Sequence, residues 1–193
     1  MHLTTLEVTH SRTPEEIHGL VQQMRPSLPE ITSYTHAHRA RLVKPLLSYD
    51  LAAFAVSFLP AAGEAVVSPA PVAPEPDDRA TRNDGYTYHH LRRDVFNMAQ
   101  DTGVDIVSRY VVPSAHITLG RYLGQDDHAT PEARRAWIAK IDEINAWLEK
   151  EVWVKDGGEF IGEWIVGQER GLDARCGPLW YGMGRTICLG EGF

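Results

Sequence analysis

A stretch rich in proline, alanine, glycine and aspartate divides the chain into two unequal parts. It runs from Ala61 to Asp84 and holds four prolines between Pro69 and Pro76. This composition cannot contribute much to a hydrophobic core, so we predict a flexible linker or loop over residues 61–84. We predict one two-lobed domain, with residues 1–60 in the first lobe and residues 85–193 forming the second lobe and the closing strands. A chain of 193 residues suffices for one sizeable core or for two small lobes sharing one.

Helix starts are the clearest local signals. Residues 13–16 (Thr-Pro-Glu-Glu) have the form of a capping box with proline in the first turn, and they predict a helix from about Pro14 to Met24. Residues 130–132 (Thr-Pro-Glu) start another helix in the same way. Residues 87–102 show helical spacing of apolar side chains and end at Gly103, which suits a C-terminal cap.

Alternation with a period of two predicts the strands. They are expected over residues 3–9, 41–46, 52–59, 104–112, 115–123, 160–167 and 179–189. The second and third of these should form a hairpin that turns at residues 48–50. The stretch after Pro26 and Pro29 is poorly patterned, and no element is predicted there. The resulting order of strands and helices predicts an α+β fold with a rough internal duplication.

The charge and the cysteine count limit the classes of partner. A formal net charge of -7 and a pI near 5.7 argue against binding along a long nucleic-acid duplex, but a small phosphorylated ligand or an RNA end fits. Two cysteines are too few for a disulfide framework, which favours an intracellular setting, cytoplasmic or nuclear. The longest apolar run, Leu51 to Ala62, is too short to span a bilayer, and no signal peptide is recognisable, so no membrane partner is expected.

Two histidines each precede a threonine by two residues within an apolar strand pattern: His2-Leu3-Thr4 and His116-Ile117-Thr118. Residues two apart in a strand share a face and lie roughly 6.6 Å apart, so each pair sets an imidazole beside a hydroxyl. Two such pairs facing each other could surround a phosphate, with the imidazoles as proton donor and acceptor and the hydroxyls as hydrogen-bond donors. This chemistry requires no metal and no other cofactor.

The pattern by itself is weak evidence. With 9 histidines in the chain, roughly one is expected to meet Ser or Thr two residues later by chance. A third instance, His128-Ala129-Thr130, lies in a polar loop, where Thr130 is better explained as a helix cap. On the residues alone, the reading of His2 and His116 as two unrelated strand histidines therefore stays open.

Other clusters have simpler explanations. Residues 36–38 (His-Ala-His) could bind a metal, but two ligands without a third rarely form a site, and a solvated polar pair is the expected state. The charged runs at residues 39–44 and at Arg92-Arg93 most often coat a surface, although either could steer a phosphorylated substrate. Adjacent residues on a helix point apart, so at most one of His89 and His90 can face a cleft.

Residues 1–7 (Met-His-Leu-Thr-Thr-Leu-Glu) and 114–121 (Ser-Ala-His-Ile-Thr-Leu-Gly-Arg) resemble the paired signatures of the two-histidine (2H) phosphoesterase superfamily. Over most of its length the chain is similar to fungal proteins of the RNA ligase or cyclic nucleotide phosphodiesterase type. The resemblance implies two lobes, each an antiparallel sheet with outer helices, and a central cleft carrying both motifs. It also implies that His2 and His116 are the catalytic acid and base and that Thr4 and Thr118 bind the substrate phosphate.

The chain departs from the family pattern in its first motif. Members usually carry a strand and a helix before that motif, whereas only Met1 precedes His2 here, so the motif is expected at an exposed sheet edge where His2 is mobile. Glu7 stands where a basic residue would match Arg121 of the second motif. By strand parity Arg121 itself should point away from His116, which places it outside the site.

The expected function is therefore that of a metal-independent phosphodiesterase. Its substrate would be a cyclic phosphodiester or a 2′-5′-type linkage in a nucleotide or at an RNA terminus. Two alternatives remain from other classes: a non-catalytic protein that binds a nucleotide or an RNA end, and a plain α+β interaction domain.

Overall fold

A computed structural model describes residues 2–66, 84–107, 114–153, 160–178 and 184–193. Most of the predicted linker, residues 67–83, lies outside these described residues. So do residues 108–112 and 179–183, which belong to two of the predicted strands.

The described residues form helices and antiparallel strands, so the predicted α+β class is confirmed. The helices are α1 (Pro14–Met24), α2 (Leu28–Ser33), α3 (Tyr88–Asp101) and α4 (Pro131–Trp147). The strands are β1 (Arg41–Tyr49), β2 (Ala53–Pro60), β3 (Ala115–Arg121), β4 (Glu163–Ile165), β5 (Asp173–Cys176) and β6 (Arg185–Leu189). Short 3₁₀ turns occur at Tyr34–His36 and Asp126–His128, and a π-helical turn, Leu148–Val152, extends α4.

Four of the strands form a curled antiparallel sheet in the order β3-β2-β1-β4, and β5 pairs with β6 in a separate hairpin. The predicted β1–β2 hairpin is confirmed. Its turn is closed by Asp50, whose Oδ1 accepts hydrogen bonds from the amides of Ala52 and Ala53 at 2.7 and 2.8 Å. An aspartate that bonds the backbone two residues later is a common way to make such a turn.

The three predicted helices are confirmed, and their start signals work as local chemistry predicts. Thr13 Oγ1 accepts from the Glu16 amide, and the Glu16 carboxylate accepts from the Thr13 amide at 2.8 Å, which completes the capping box. Thr130 Oγ1 caps α4 by accepting from the Ala133 amide. In the capping box of α3, a histidine stands in the position usually held by a glutamate. The Thr87 amide donates a hydrogen bond to Nδ1 of His90 at 3.1 Å.

The prediction of a strand over residues 3–9 is wrong. Only Leu3 forms a bridge, an antiparallel pairing with Ile117. The next carbonyls bond to side chains of α3 instead: the Tyr88 hydroxyl donates to the carbonyl oxygen of Thr4, and Arg92 Nε donates to that of Thr5, both at 3.0 Å. The segment is thus held by a helix rather than by a strand ladder.

The strand predicted at 160–167 is shorter than expected, the strands predicted at 104–112 and 179–189 lie partly outside the described residues, and two elements were missed. Residues 104–107 carry no strand, while the strands predicted at 160–167 and 179–189 narrow to β4 and β6 within the described residues. Helix α2 was missed because Pro29 suggested a break, although proline is tolerated in the first turn, where the backbone N–H has no intrahelical partner. Strand β5 spans only Asp173–Cys176.

The core lies where α1, α2 and α3 meet the sheet. Its buried members include Met24, Leu28, Ile31, Ala40, Leu42, Tyr88, Leu91, Val95, Ala99, Val104, Ala115 and Val166. Leu3 packs against this cluster from the N-terminal segment and Ala174 packs against it from β5. None of the helices in the described part of the chain is long and apolar enough to cross a membrane.

The prediction that the charged run at residues 39–44 coats the surface is wrong for its two arginines. Arg39 and Arg41 are only 3% and 4% exposed. The guanidinium of Arg39 lies 3.8 Å from the centre of the Phe193 ring, a cation–π contact. The guanidinium of Arg41 forms a buried ion network with Asp84 and Glu163.

Candidate active site

The structure brings the two His-x-Thr motifs side by side through the bridge between Leu3 and Ile117. The two chains of an antiparallel pair run in opposite directions. A bridge between Leu3 and Ile117 therefore sets His2 opposite Thr118 and Thr4 opposite His116. Leu3 packs against the core, and side chains alternate between the two faces of a strand. His116 and Thr118 therefore share one face of β3, and the bridge sets the backbone of the first motif beside them.

The register also indicates how far apart these groups lie. Directly opposed residues have Cβ atoms roughly 4.5–5.5 Å apart, and diagonal neighbours lie roughly 7–8 Å apart. In the register of this bridge, His2 and His116 are diagonal neighbours. In the same register, Thr4 and Thr118 are the other pair of diagonal neighbours.

Two serines adjoin the second motif. Ser114 Oγ lies 2.7 Å from Nδ1 of His116 and can donate to it or accept from it according to the tautomer. Ser57 of β2 lies opposite His116 in the sheet register, and its Oγ lies 2.6 Å from that of Ser48 in β1. A hydrogen bond to one ring nitrogen sets the orientation of a histidine and its tautomer, so Ser114 fixes how the His116 ring is presented.

Sequence reasoning did not single out these serines. Ser114 lies two residues before His116, so strand parity could have identified it as a neighbour on the same face. Ser57 carries no such local signal, because its position depends on the pairing of β2 with β3. Arg121 is exposed, but the register between β2 and β3 shifts between Phe54 and Ala55, so counting residues from His116 does not fix the face on which Arg121 lies.

The first motif lies beside β3, at the edge of the four-stranded sheet, and hydrogen bonds fix the backbone of this segment at several positions. The carbonyls of Thr4 and Thr5 accept the bonds from Tyr88 and Arg92, and Tyr88 is fully buried. Farther along, the Val107 amide donates to the carbonyl oxygen of Val8 at 2.9 Å. His2 itself is exposed, so the anchoring acts on the residues that follow it.

The electrostatic surroundings of His2 favour its neutral form. Partial removal of the ring from water lowers the pKa of His2 below its ordinary value of 6.5, and neighbouring positive charges, the Arg175 guanidinium among them, lower it further. A neutral imidazole can accept a proton. Arg175, on β5, was not predicted as a neighbour of the site.

The other histidines that the sequence analysis considered have structural contacts. The His38 ring stacks on Tyr34 with centroids 3.9 Å apart, and His36 Nδ1 lies 3.3 Å from the carbonyl oxygen of Gly192. His89 is exposed, His90 caps α3, and His128 meets the Tyr122 ring edge to face. Among the described residues, no three His, Cys, Asp or Glu side chains are grouped so that they could hold a metal ion.

Comparison with protein-family models, with curated proteins and with solved structures gives no match to this chain.

Proposed function

We propose that this chain is a metal-independent phosphodiesterase with a two-lobed, two-histidine fold. Its substrate is a cyclic phosphodiester or a 2′-5′-type linkage in a nucleotide or at an RNA end. The observation that carries the proposal is the antiparallel bridge between Leu3 and Ile117, because these are the central residues of two motifs that are distant in sequence.

We assign the role of general base to His2, because its lowered pKa favours the neutral ring. His2 is neutral at neutral pH and acts as the general base, taking a proton from water as the water oxygen attacks phosphorus. The bond from phosphorus to the departing ester oxygen breaks, and His116 donates a proton to that oxygen. One water is consumed, one phosphomonoester forms, and the two histidines exchange their protonation states until solvent resets them.

The hydroxyls of Thr4 and Thr118 donate hydrogen bonds to the non-bridging oxygens of the phosphoryl group. Negative charge increases on these oxygens in the transition state, so donors fixed in advance stabilise it more than the ground state. Ser114 holds the His116 ring in the orientation that proton donation requires.

Hydrolysis of a 2′,3′-cyclic nucleotide by protein kept in EDTA tests the proposal. We expect conversion to a single nucleoside monophosphate with a rate that depends on pH. Because the neutral form of His2 is the base, its lowered pKa places the loss of kcat/KM on acidification below pH 6.5.

A profile from about pH 4 to pH 8 measures this acidic limb. A fall in kcat/KM that begins above the ordinary histidine pKa would contradict the assignment of His2 as the general base. Tight binding of the cyclic nucleotide without any product would instead indicate the non-catalytic binding protein.

A further inference from the structure

Ser48 and Ser57 form a hydrogen-bonded pair on the sheet beside His116. Ser57 lies opposite His116 in the register of β2 with β3, and directly opposed side chains lie on the same face with Cβ atoms roughly 4.5–5.5 Å apart. Ser48 of β1 reaches the same face, because its Oγ lies 2.6 Å from that of Ser57. The register shifts in both strand pairings lie outside the residues that fix these positions. The pair therefore continues the polar face of His116 across β2 and β1, on the side away from the first motif.

The serine pair has hydrogen-bonding capacity to spare. Ser57 is the only residue of β2 with a polar side chain, and it stands at the position opposite His116. Within the part of the chain that the structure describes, the two hydroxyls bond to each other and to no other group. A hydroxyl is one donor with two acceptor lone pairs, so the pair can still donate to a ligand and accept from it. Both serines are half-buried rather than enclosed.

A sugar hydroxyl matches this pair better than a phosphoryl group does. A hydroxyl of a ligand both donates and accepts, as the two serines together do. A phosphoryl oxygen only accepts, so it would use the donor and leave the acceptors without a partner. The serines also carry no charge, and the phosphate is already assigned to the hydroxyls of Thr4 and Thr118.

In the proposed reaction, the sugar lies on this side of His116. The attacking and departing oxygens of a phosphoryl transfer lie roughly in line across phosphorus. His2 activates the water on the side of the first motif, so the departing oxygen, which His116 protonates, points toward β2. The sugar that carries this oxygen then extends over Ser57.

We propose that Ser57, oriented by Ser48, binds a free hydroxyl of the sugar that carries the departing oxygen. This inference rests on the proposed function and deepens it, since it names the substrate class as a phosphodiester of a hydroxylated sugar rather than of a plain alcohol. A nucleotide or an RNA end meets this requirement. Ser57 then determines specificity and takes no part in proton transfer.

Binding of adenosine 3′-monophosphate, compared with binding of inorganic phosphate, tests the proposal through the NMR signal of the His116 ring. Phosphate fills the phosphate site alone, whereas the nucleotide also brings the sugar. We expect Ser57→Ala to bind the nucleotide roughly threefold to tenfold more weakly, the effect of losing one neutral hydrogen bond, with the same dissociation constant for phosphate. Ser48→Ala should cause a smaller loss, because Ser57 keeps its hydroxyl. The control is Ser27→Ala, a half-buried serine before α2 whose side chain makes no capping hydrogen bond, and it should change neither affinity.

The same measurements separate this proposal from the catalytic one. Equal nucleotide affinity in Ser57→Ala and the unmodified chain would overturn the sugar site, and so would the absence of nucleotide binding by the unmodified chain. An equal loss for the nucleotide and for phosphate would also overturn it, because that result indicates a structural role. If nucleotide binding depends on Ser57 while no cyclic nucleotide is hydrolysed, the sugar site stands and the catalytic proposal fails.

Discussion

Replacing His116 by alanine is expected to reduce the hydrolysis of a 2′,3′-cyclic nucleotide by about 10²- to 10⁴-fold, the usual contribution of a positioned acid or base. The physical reason is that the departing ester oxygen loses its proton donor. The fold should persist, because the neighbours Ala115 and Ile117 anchor β3 on its other face and His116 is only half-buried. Initial rates with EDTA in every sample measure the effect.

His128→Ala is a matched control for this experiment. His128 also precedes a threonine by two residues, but it lies in a 3₁₀ turn whose Thr130 caps α4. We expect the His128→Ala variant to hydrolyse the cyclic nucleotide at the rate of the unmodified chain. The circular dichroism spectra of the His116→Ala and His128→Ala variants should be the same. Equal rates for His116→Ala and His128→Ala would remove His116 from the chemistry.

Replacing Arg41 by alanine is expected to lower the free energy of unfolding by about 3–5 kcal/mol, the usual effect of breaking a buried ion pair. Arg41 Nη1 donates to Glu163 at 2.7 Å, and Nε and Nη2 form a fork on the Asp84 carboxylate at 2.9 and 3.0 Å. The side chain of Glu163 is fully buried, so its charge would lose a buried partner that offsets its removal from water. Urea denaturation measures the change.

Arg41 also joins parts of the chain that are distant in sequence. Nη2 donates to the carbonyl oxygen of Glu64, and the Gly63 amide donates to Asp84, so residues on both sides of the stretch 67–83 meet at this guanidinium. Arg41→Lys keeps the charge but loses the fork, and we expect an intermediate loss. Arg25→Ala, at an exposed position after α1, is the control. A loss within 1 kcal/mol of that control would mean that the network contributes little.

Local chemistry explains which parts of the fold could be predicted. The cap formed by Thr13 and Glu16 and the turn closed by Asp50 involve residues no more than three apart, so the sequence carries the whole signal. Alternation in residues 115–121 likewise predicted β3 and the shared face of His116 and Thr118. The pairing of the two motifs with each other did not follow from alternation.

The wrong predictions share a different cause, which is that contacts between residues distant in sequence determine the structure. Residues 3–9 alternate like a strand, but the carbonyls of Thr4 and Thr5 bond to Tyr88 and Arg92, and no local pattern reports those contacts. Arg41 belongs to a charged run that is typical of a surface. Its burial depends on acidic partners 43 and 122 residues away.

The candidate site shows the same difference between local signals and contacts that are distant in sequence. Strand parity predicted the pairs His2 with Thr4 and His116 with Thr118, but it does not decide the face of Arg121, because the register between β2 and β3 shifts between Phe54 and Ala55. The charge of Arg175, which contributes to lowering the pKa of His2, could not be anticipated in this way, because no local pattern relates β5 to the first motif.

The central claim is that both motifs form one phosphate site, and a titration with inorganic phosphate, which is not hydrolysed, tests it most directly. The NMR signals of the His2 and His116 rings are followed in the same samples of the unmodified chain. We predict that both shift with one shared dissociation constant and that Thr118→Val weakens the response of both rings together. Two different dissociation constants, or a response from only one ring, would contradict a shared site.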